Sequence, residues 1–120
     1  MSVMMIVDCL WKGGRCQMTD SERKEYDHWC DKVHIPDLLK GTGMTRVTRY
    51  AATDGSGVFY TQEFESEEAF EAYLTSDRRK ELIAETNSHY PSGDGPENFF
   101  VQRAVRCFKS IYSEERKTST

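Results

Sequence analysis

Met44-Thr45-Arg46-Val47-Thr48-Arg49-Tyr50-Ala51-Ala52-Thr53-Asp54-Gly55-Ser56-Gly57-Val58-Phe59-Tyr60-Thr61-Gln62-Glu63-Phe64 is the stretch that decides the fold. Two runs with β-branched and aromatic residues flank Asp54-Gly55-Ser56-Gly57, which is the pattern of a β-hairpin. Residues 44–53 therefore read as one strand and 58–64 as the next, antiparallel to it. Before the hairpin, Val3 to Trp11 is mostly β-branched, aromatic or otherwise apolar and reads as a buried strand that Lys12-Gly13-Gly14 breaks. After it, Phe99 to Phe108 reads as a fourth strand, and the pattern allows an extension to Tyr112.

Helices fill the two long connections. Thr19, Asp20 or Ser21 can cap the first, with Glu22 in its opening turn. Tyr26, Trp29, Cys30 and Val33 fall at i, i+3, i+4 and i+7 and form one apolar stripe. Pro36 lacks a backbone donor, so the regular helix should end or bend near Ile35; a short turn over Asp37-Leu38-Leu39 then stops at Gly41 and Gly43. Ser66 caps the second helical connection, whose apolar face is Ala69, Phe70, Tyr73 and Leu74. Thr75-Ser76-Asp77 marks a break and a new cap, followed by helix to about Ser88, and residues 91–96 form a loop.

The order β-α-β-β-α-β, with right-handed crossovers, gives a four-stranded sheet with its helices on one face. A bare second face on so small a domain must be covered, and a twofold copy offering the same face does so economically. The expectation is an α+β, ferredoxin-like sandwich over residues 1–112 that pairs into a homodimer, with a fraying tail over 113–120.

Composition narrows the partners. In 120 residues the hydrophobic share is 38% and the charged share 30%, so a modest core must be filled by six Phe, six Tyr, two Trp and five Met. A net charge of −4, with Lys and Arg scattered among Asp and Glu, lacks the basic stripe that nucleic acid requires. No apolar run approaches the roughly 20 residues of a bilayer span, and Asp8 interrupts the start too early for a signal-peptide core. A cytoplasmic protein with no nucleic-acid or membrane partner is expected. Cys9, Cys16, Cys30 and Cys107 show no CxxC pairing, so free thiols acting as small buried hydrophobes are expected.

Trp29-Cys30-Asp31-Lys32-Val33-His34-Ile35-Pro36-Asp37, then Gly43-Met44 and a strand ending in Arg49-Tyr50, resembles the EthD-like group of dimeric α+β-barrel proteins. It is also similar to uncharacterised bacterial families with a His-Ile-Pro-Asp segment. Phe64-Glu65-Ser66-Glu67-Glu68-Ala69 is similar to the junction of third strand and second helix in that superfamily, and the likeness covers most of residues 3–108. The superfamily holds cofactor-free monooxygenases, muconolactone isomerases, polyketide cyclases, haem-degrading enzymes and members of no known activity. In many of its enzymes the substrate sits between sheet and helices. The resemblance implies a small enzyme without cofactors acting on an organic acid, although fold alone does not carry a reaction.

Each candidate residue has two readings. His34 matches the histidine that EthD-like and methylmuconolactone-isomerase-type proteins carry at the end of the first helix, and its near-neutral pKa suits acid/base work. On a regular helix Cys30 or Asp27 could orient its ring; alternatively, it ties the helix end to the Pro36 turn. Tyr73 matches the catalytic tyrosine of olivetolic-acid-cyclase-type members, but the histidine that follows there is missing among residues 76–80, so a core role is the alternative. His89 is a third acid/base candidate, or simply a partner of its helix dipole. Trp29 and Tyr60 are candidates to line the substrate, with Arg49 to hold its carboxylate.

Asp8, Arg46, Arg49, Gln62, Glu63, Gln102, Arg103 and Arg106 are polar groups on strands that bury a face, and they need partners. Ion pairs between sheet faces or an anion-holding pocket would supply them, and sequence parity does not say which. Asp27, Asp31 and His34 share a helix side, but without a fourth ligand or a 2-His-1-carboxylate pattern they read as a solvated acidic face and not a metal site. The leading expectation is a lyase, isomerase or cyclase acting on an aromatic or lactone-like organic acid. A non-catalytic ligand-binding module and a cofactor-free monooxygenase are the alternatives.

Overall fold

The computed structural model describes residues 2–116. Among them β1 (Val3–Trp11), β2 (Met44–Ala51), β3 (Gly57–Phe64) and β4 (Phe100–Lys109) form one antiparallel sheet in the order β2-β3-β1-β4. Between β1 and β2 run α1 (Asp20–Trp29), a π-helical turn (Cys30–His34) and α2 (Ile35–Leu38); between β3 and β4 run α3 (Glu67–Leu74) and α4 (Asp77–His89). This is the ferredoxin-like order read from the sequence, with each helical connection divided.

Local chemistry sets the boundaries. Thr19 caps α1 in a reciprocal box: its hydroxyl accepts from the Glu22 N–H at 3.1 Å, and the Glu22 carboxylate accepts from the Thr19 N–H at 2.9 Å. Ser66 and Ser76 cap α3 and α4, each hydroxyl accepting a backbone N–H three residues on. β2 stops at Ala51, two residues short of expectation, because the Ala52 carbonyl turns to accept from Gly55 N–H at 2.9 Å. β4 stops at Lys109 because its partner β1 begins at Val3; the Ser110 N–H makes the last contact, with the Ser2 carbonyl at 3.0 Å. Residues 110–116 carry no helix or strand and are exposed, and residues 117–120 of the expected tail lie outside the described ones.

Pro36 has the effect expected of it by an unexpected route. The helix does not end at Ile35. Its turn widens instead, and the Ile35 N–H reaches back five residues to the Cys30 carbonyl before α2 continues to Leu38. A proline ring clashes with the carbonyl four residues earlier, and a wider turn relieves that contact.

The register settles the parity. Met5, Val7 and Cys9 stand opposite Gln62, Tyr60 and Val58 on β3, and opposite Cys107, Val105 and Arg103 on β4. These residues share the face that packs on the helices. There Trp11 stacks on Phe100 at 4.4 Å and meets Tyr26 edge-on at 5.9 Å, while Tyr73 from α3 and Leu82 from α4 complete the core. The opposite face carries Met4, Ile6, Leu10, Tyr50, Phe59 and Phe108, over which no described helix lies; Leu10, Tyr50 and Phe108 are 37%, 45% and 39% exposed. No described helix is long and apolar enough to cross a membrane.

Candidate active site between the sheet and the helices

A cavity of about 310 Å³ lies beneath the helical layer, a volume at the lower end of small-molecule sites. Its sheet wall includes Met5, Cys9, Tyr60, Gln62 and Arg103, and its helix wall Trp29, His34, Leu38, Tyr73 and Leu82. β1 and β3 are the two central strands, so their inward residues form its floor. The π turn carries His34 over that floor from one side, and α4 closes the other.

His34 is only 8% exposed. Its ring stacks on Trp29 with centroids 4.7 Å apart and planes at 10°, and it meets the Tyr60 ring edge-on at 5.7 Å. Burial pushes its pKa down to about 4, helped by the charge of Arg103 and opposed by Asp37. The imidazole is therefore neutral near pH 7, and its fully buried Nδ1 has no hydrogen-bond partner among the described residues. The orienting partners expected on a regular helix are engaged elsewhere. Cys30 accepts the Tyr60 hydroxyl at 2.9 Å, and Asp27 binds Arg23 and Arg49. Packing on Trp29 takes their place, a consequence of the widened turn.

Four buried side-chain polar atoms lack a hydrogen-bond partner among the described residues: Trp29 Nε1, His34 Nδ1, Gln62 Oε1 and Arg103 Nη1. All four belong to residues of the cavity wall. An unsatisfied buried polar atom costs roughly 1–3 kcal/mol, so their gathering around one hollow sets this region apart from ordinary core. Arg103 makes no ion pair among the described residues; its Nη2 donates to the Tyr90 carbonyl and its guanidinium lies 5.0 Å above the Phe100 ring. Burial pushes the Tyr60 and Tyr73 phenols and the Cys9 thiol upward, so all three keep their protons near neutrality.

The sequence candidates divide accordingly. His34, Tyr73, Tyr60 and Trp29 are on the cavity wall. Arg49 is not: its guanidinium is 3.0 Å from both Asp27 and Asp31 and lies over Tyr26. That carboxylate pair neutralises the cation expected to hold a substrate, and the two aspartates read as a solvated acidic face are its partners. His89 is exposed at the end of α4, 5.0 Å from the Trp29 ring, and belongs to a separate small hollow. Gln62 and Arg103 were visible in the sequence only as polar residues out of place on strands; the register assigns both to the helix side. Asp8 lies exposed on the other face with no ion pair among the described residues, and Arg46 reaches Glu63 at 3.9 Å. All four cysteines are free, Cys9 and Cys30 buried as expected but Cys107 exposed.

No family model and no curated protein matches the chain. Solved structures do. A monooxygenase from Streptomyces coelicolor, in complex with nanaomycin D, aligns with a TM-score of 0.63 at 16% identity, covering 97% of this chain and 93% of its own. An EthD family protein from Bacillus halodurans aligns with a TM-score of 0.61 at 10% identity, covering 92% and 100%. A dimeric ferredoxin-like protein of unknown function from Thermobifida fusca gives 0.54 at 13%, covering 90% of each chain. At these identities the likeness is one of fold, and the chain has the ferredoxin-like α+β fold of EthD-type proteins.

Proposed function

We propose that the chain is a cofactor-independent enzyme of lyase, isomerase or cyclase type that moves a proton on an aromatic or lactone-like organic acid. The observation that carries this is the set of unpartnered buried polar atoms on one aromatic-walled cavity, with a neutral imidazole among them. Arg103, which makes no ion pair among the described residues, is a cation suited to a carboxylate or developing oxyanion, and the Trp29 and Tyr60 rings suit a flat substrate. Neutral His34 accepts a proton from an acidified carbon; the negative charge left behind delocalises onto oxygen near Arg103. The imidazolium, disfavoured by burial and by Arg103, returns the proton to a second carbon. A base this weak requires an acidic carbon, as in a lactone, a vinylogous acid or a 1,3-dicarbonyl. Tyr73, with its proton retained, serves in this reading as a hydrogen-bond donor from the cavity wall. His89 and Arg49 take no direct part.

A second reading, a cofactor-free monooxygenase, is favoured by the fold likeness to the Streptomyces monooxygenase. The same deprotonation would open that reaction, with dioxygen then adding to the carbanion. A homodimer belongs to the same proposal: the uncovered sheet face carries Met4, Ile6, Leu10, Tyr50, Phe59 and Phe108 alongside Asp8, and a ferredoxin-like structural neighbour is dimeric.

The test is incubation with a panel of enolisable aromatic acids and lactones in D₂O, with mass analysis of the recovered compounds and an oxygen electrode in parallel. Deuterium gain that requires protein supports proton transfer, and loss of that gain in His34→Gln assigns it. Oxygen uptake would select the second reading. Tight binding with neither change would replace both with the non-catalytic ligand-binding module.

A further inference from the structure

The polar groups of the cavity fall at two separate places on the sheet. Arg103 stands opposite Cys9 on β4, and Gln62 stands opposite Met5 on β3, with β1 between them. Four residues along β1 and two strand spacings across correspond to roughly 16 Å between their α-carbons on a flat sheet. Their side chains close part of that gap by leaning along the strands, but no single carboxylate or hydroxyl can serve both. His34 meets the ring of Tyr60, which stands opposite Val7, midway along β1 between Met5 and Cys9.

Gln62 is the less expected of the two. It is 5% exposed, on a central strand, on the face where Tyr60 and Phe64 are core residues, and its buried Oε1 has no partner. Among the described residues that Oε1 accepts no hydrogen bond from side chain or backbone. Leu or Met would fill that position without the penalty of a buried bare amide. An amide offers an acceptor and a donor side by side, and the simplest neutral group that uses either or both is a hydroxyl.

Building on the proposed acid-binding cavity, we infer that Gln62 is a specificity-determining residue that selects organic acids bearing a hydroxyl at the end remote from their carboxylate. The carboxylate lies at Arg103, the ring system spans the Trp29 and Tyr60 walls, and the distal hydroxyl meets the Gln62 amide. The substrate class becomes a hydroxylated bicyclic acid or one of similar span, and a compact single-ring acid leaves one end unserved.

The experiment compares 6-hydroxy-2-naphthoic acid with 2-naphthoic acid by titration calorimetry on the whole protein and on Gln62→Leu. The wild type should prefer the hydroxy acid by about 10-fold or more, the usual scale for one buried hydrogen bond gained. In Gln62→Leu the preference should fall to about 2-fold or less, with affinity for 2-naphthoic acid kept and the melting temperature equal or higher. That last readout separates the two roles, because a structural glutamine would lower the melting temperature when replaced. Equal wild-type affinity for the two acids, or a preference that survives in Gln62→Leu, overturns the inference while leaving the acid-binding cavity intact. Binding of neither acid overturns both. Gln62→Met is the second variant; failure of both variants to fold would make Gln62 structural and would equally overturn it.

Discussion

At the scale of single residues, His34 gives the clearest physical signature. Its pKa is lowered from 6.5 to about 4 in the folded protein, mainly by burial. Between those values the unfolded chain binds a proton that the folded chain refuses, so stability is full above pH 6.5 and falls as pH drops toward 4. The loss attributable to His34 should reach roughly 3 kcal/mol. Urea denaturation of wild type and His34→Gln at pH 4.5 and 7 would measure it: the wild type should lose more on acidification than the variant, and equal losses would contradict the burial argument. His34 was legible in the sequence because it sits in a recognisable His-Ile-Pro-Asp segment. Gln62 and Arg103 were not, because a strand alternates its faces and one residue of parity decides between cavity and outer sheet. Arg49 misled for the complementary reason: its partners Asp27 and Asp31 lie 22 and 18 residues away, on a helix, and sequence gave no sign that they would claim it.

At the scale of elements, the segment from α1 to β2 decides where His34 sits. The caps at Thr19, Ser66 and Ser76 and the break before α4 were readable because capping is local chemistry. The π turn was not, since a proline signals disruption without saying whether the helix will end, kink or widen. What holds the segment on its far side is Gly43, at φ +78°, where an added Cβ would stand 2.8 Å from the Ala69 Cβ on α3. Gly55 in the hairpin has a similar φ of +76° but open space around it. Gly55→Ala should cost about 1 kcal/mol through backbone strain alone. Gly43→Ala should exceed that by a further 1–2 kcal/mol or so, because α3 must also shift. Chemical denaturation of the two variants checks the order, and equal losses would mean that the Gly43–Ala69 approach carries no weight. Arg78 clasps the same region from α4, donating to the Asp37 and Lys40 carbonyls at 2.9 and 3.0 Å.

At the scale of the whole molecule, the strand order and the one-sided helical layer follow from the hairpin at residues 54–57 and the alternating helical connections, which is why the fold was legible almost entirely from sequence. The outer sheet face was legible only as a requirement for a partner. Tyr50 and Phe59 stack there at 4.7 Å, with Tyr50 nearly half exposed, an arrangement suited to burial against a second copy. Sedimentation at micromolar concentration should give twice the 13.9 kDa chain mass, and Tyr50→Asp should shift it toward the single chain. A wild-type monomer at tens of micromolar would remove the homodimer while leaving the cavity, which lies on the opposite side of the sheet, untouched. The imidazole in that cavity either moves protons or the proposed chemistry has no base. The most direct measurement is the rate at which His34→Gln labels a panel acid with deuterium, set against the wild type under identical conditions. Loss of an acid/base group predicts a fall of about 100-fold or more with the fold retained; the same rate in both proteins would contradict it.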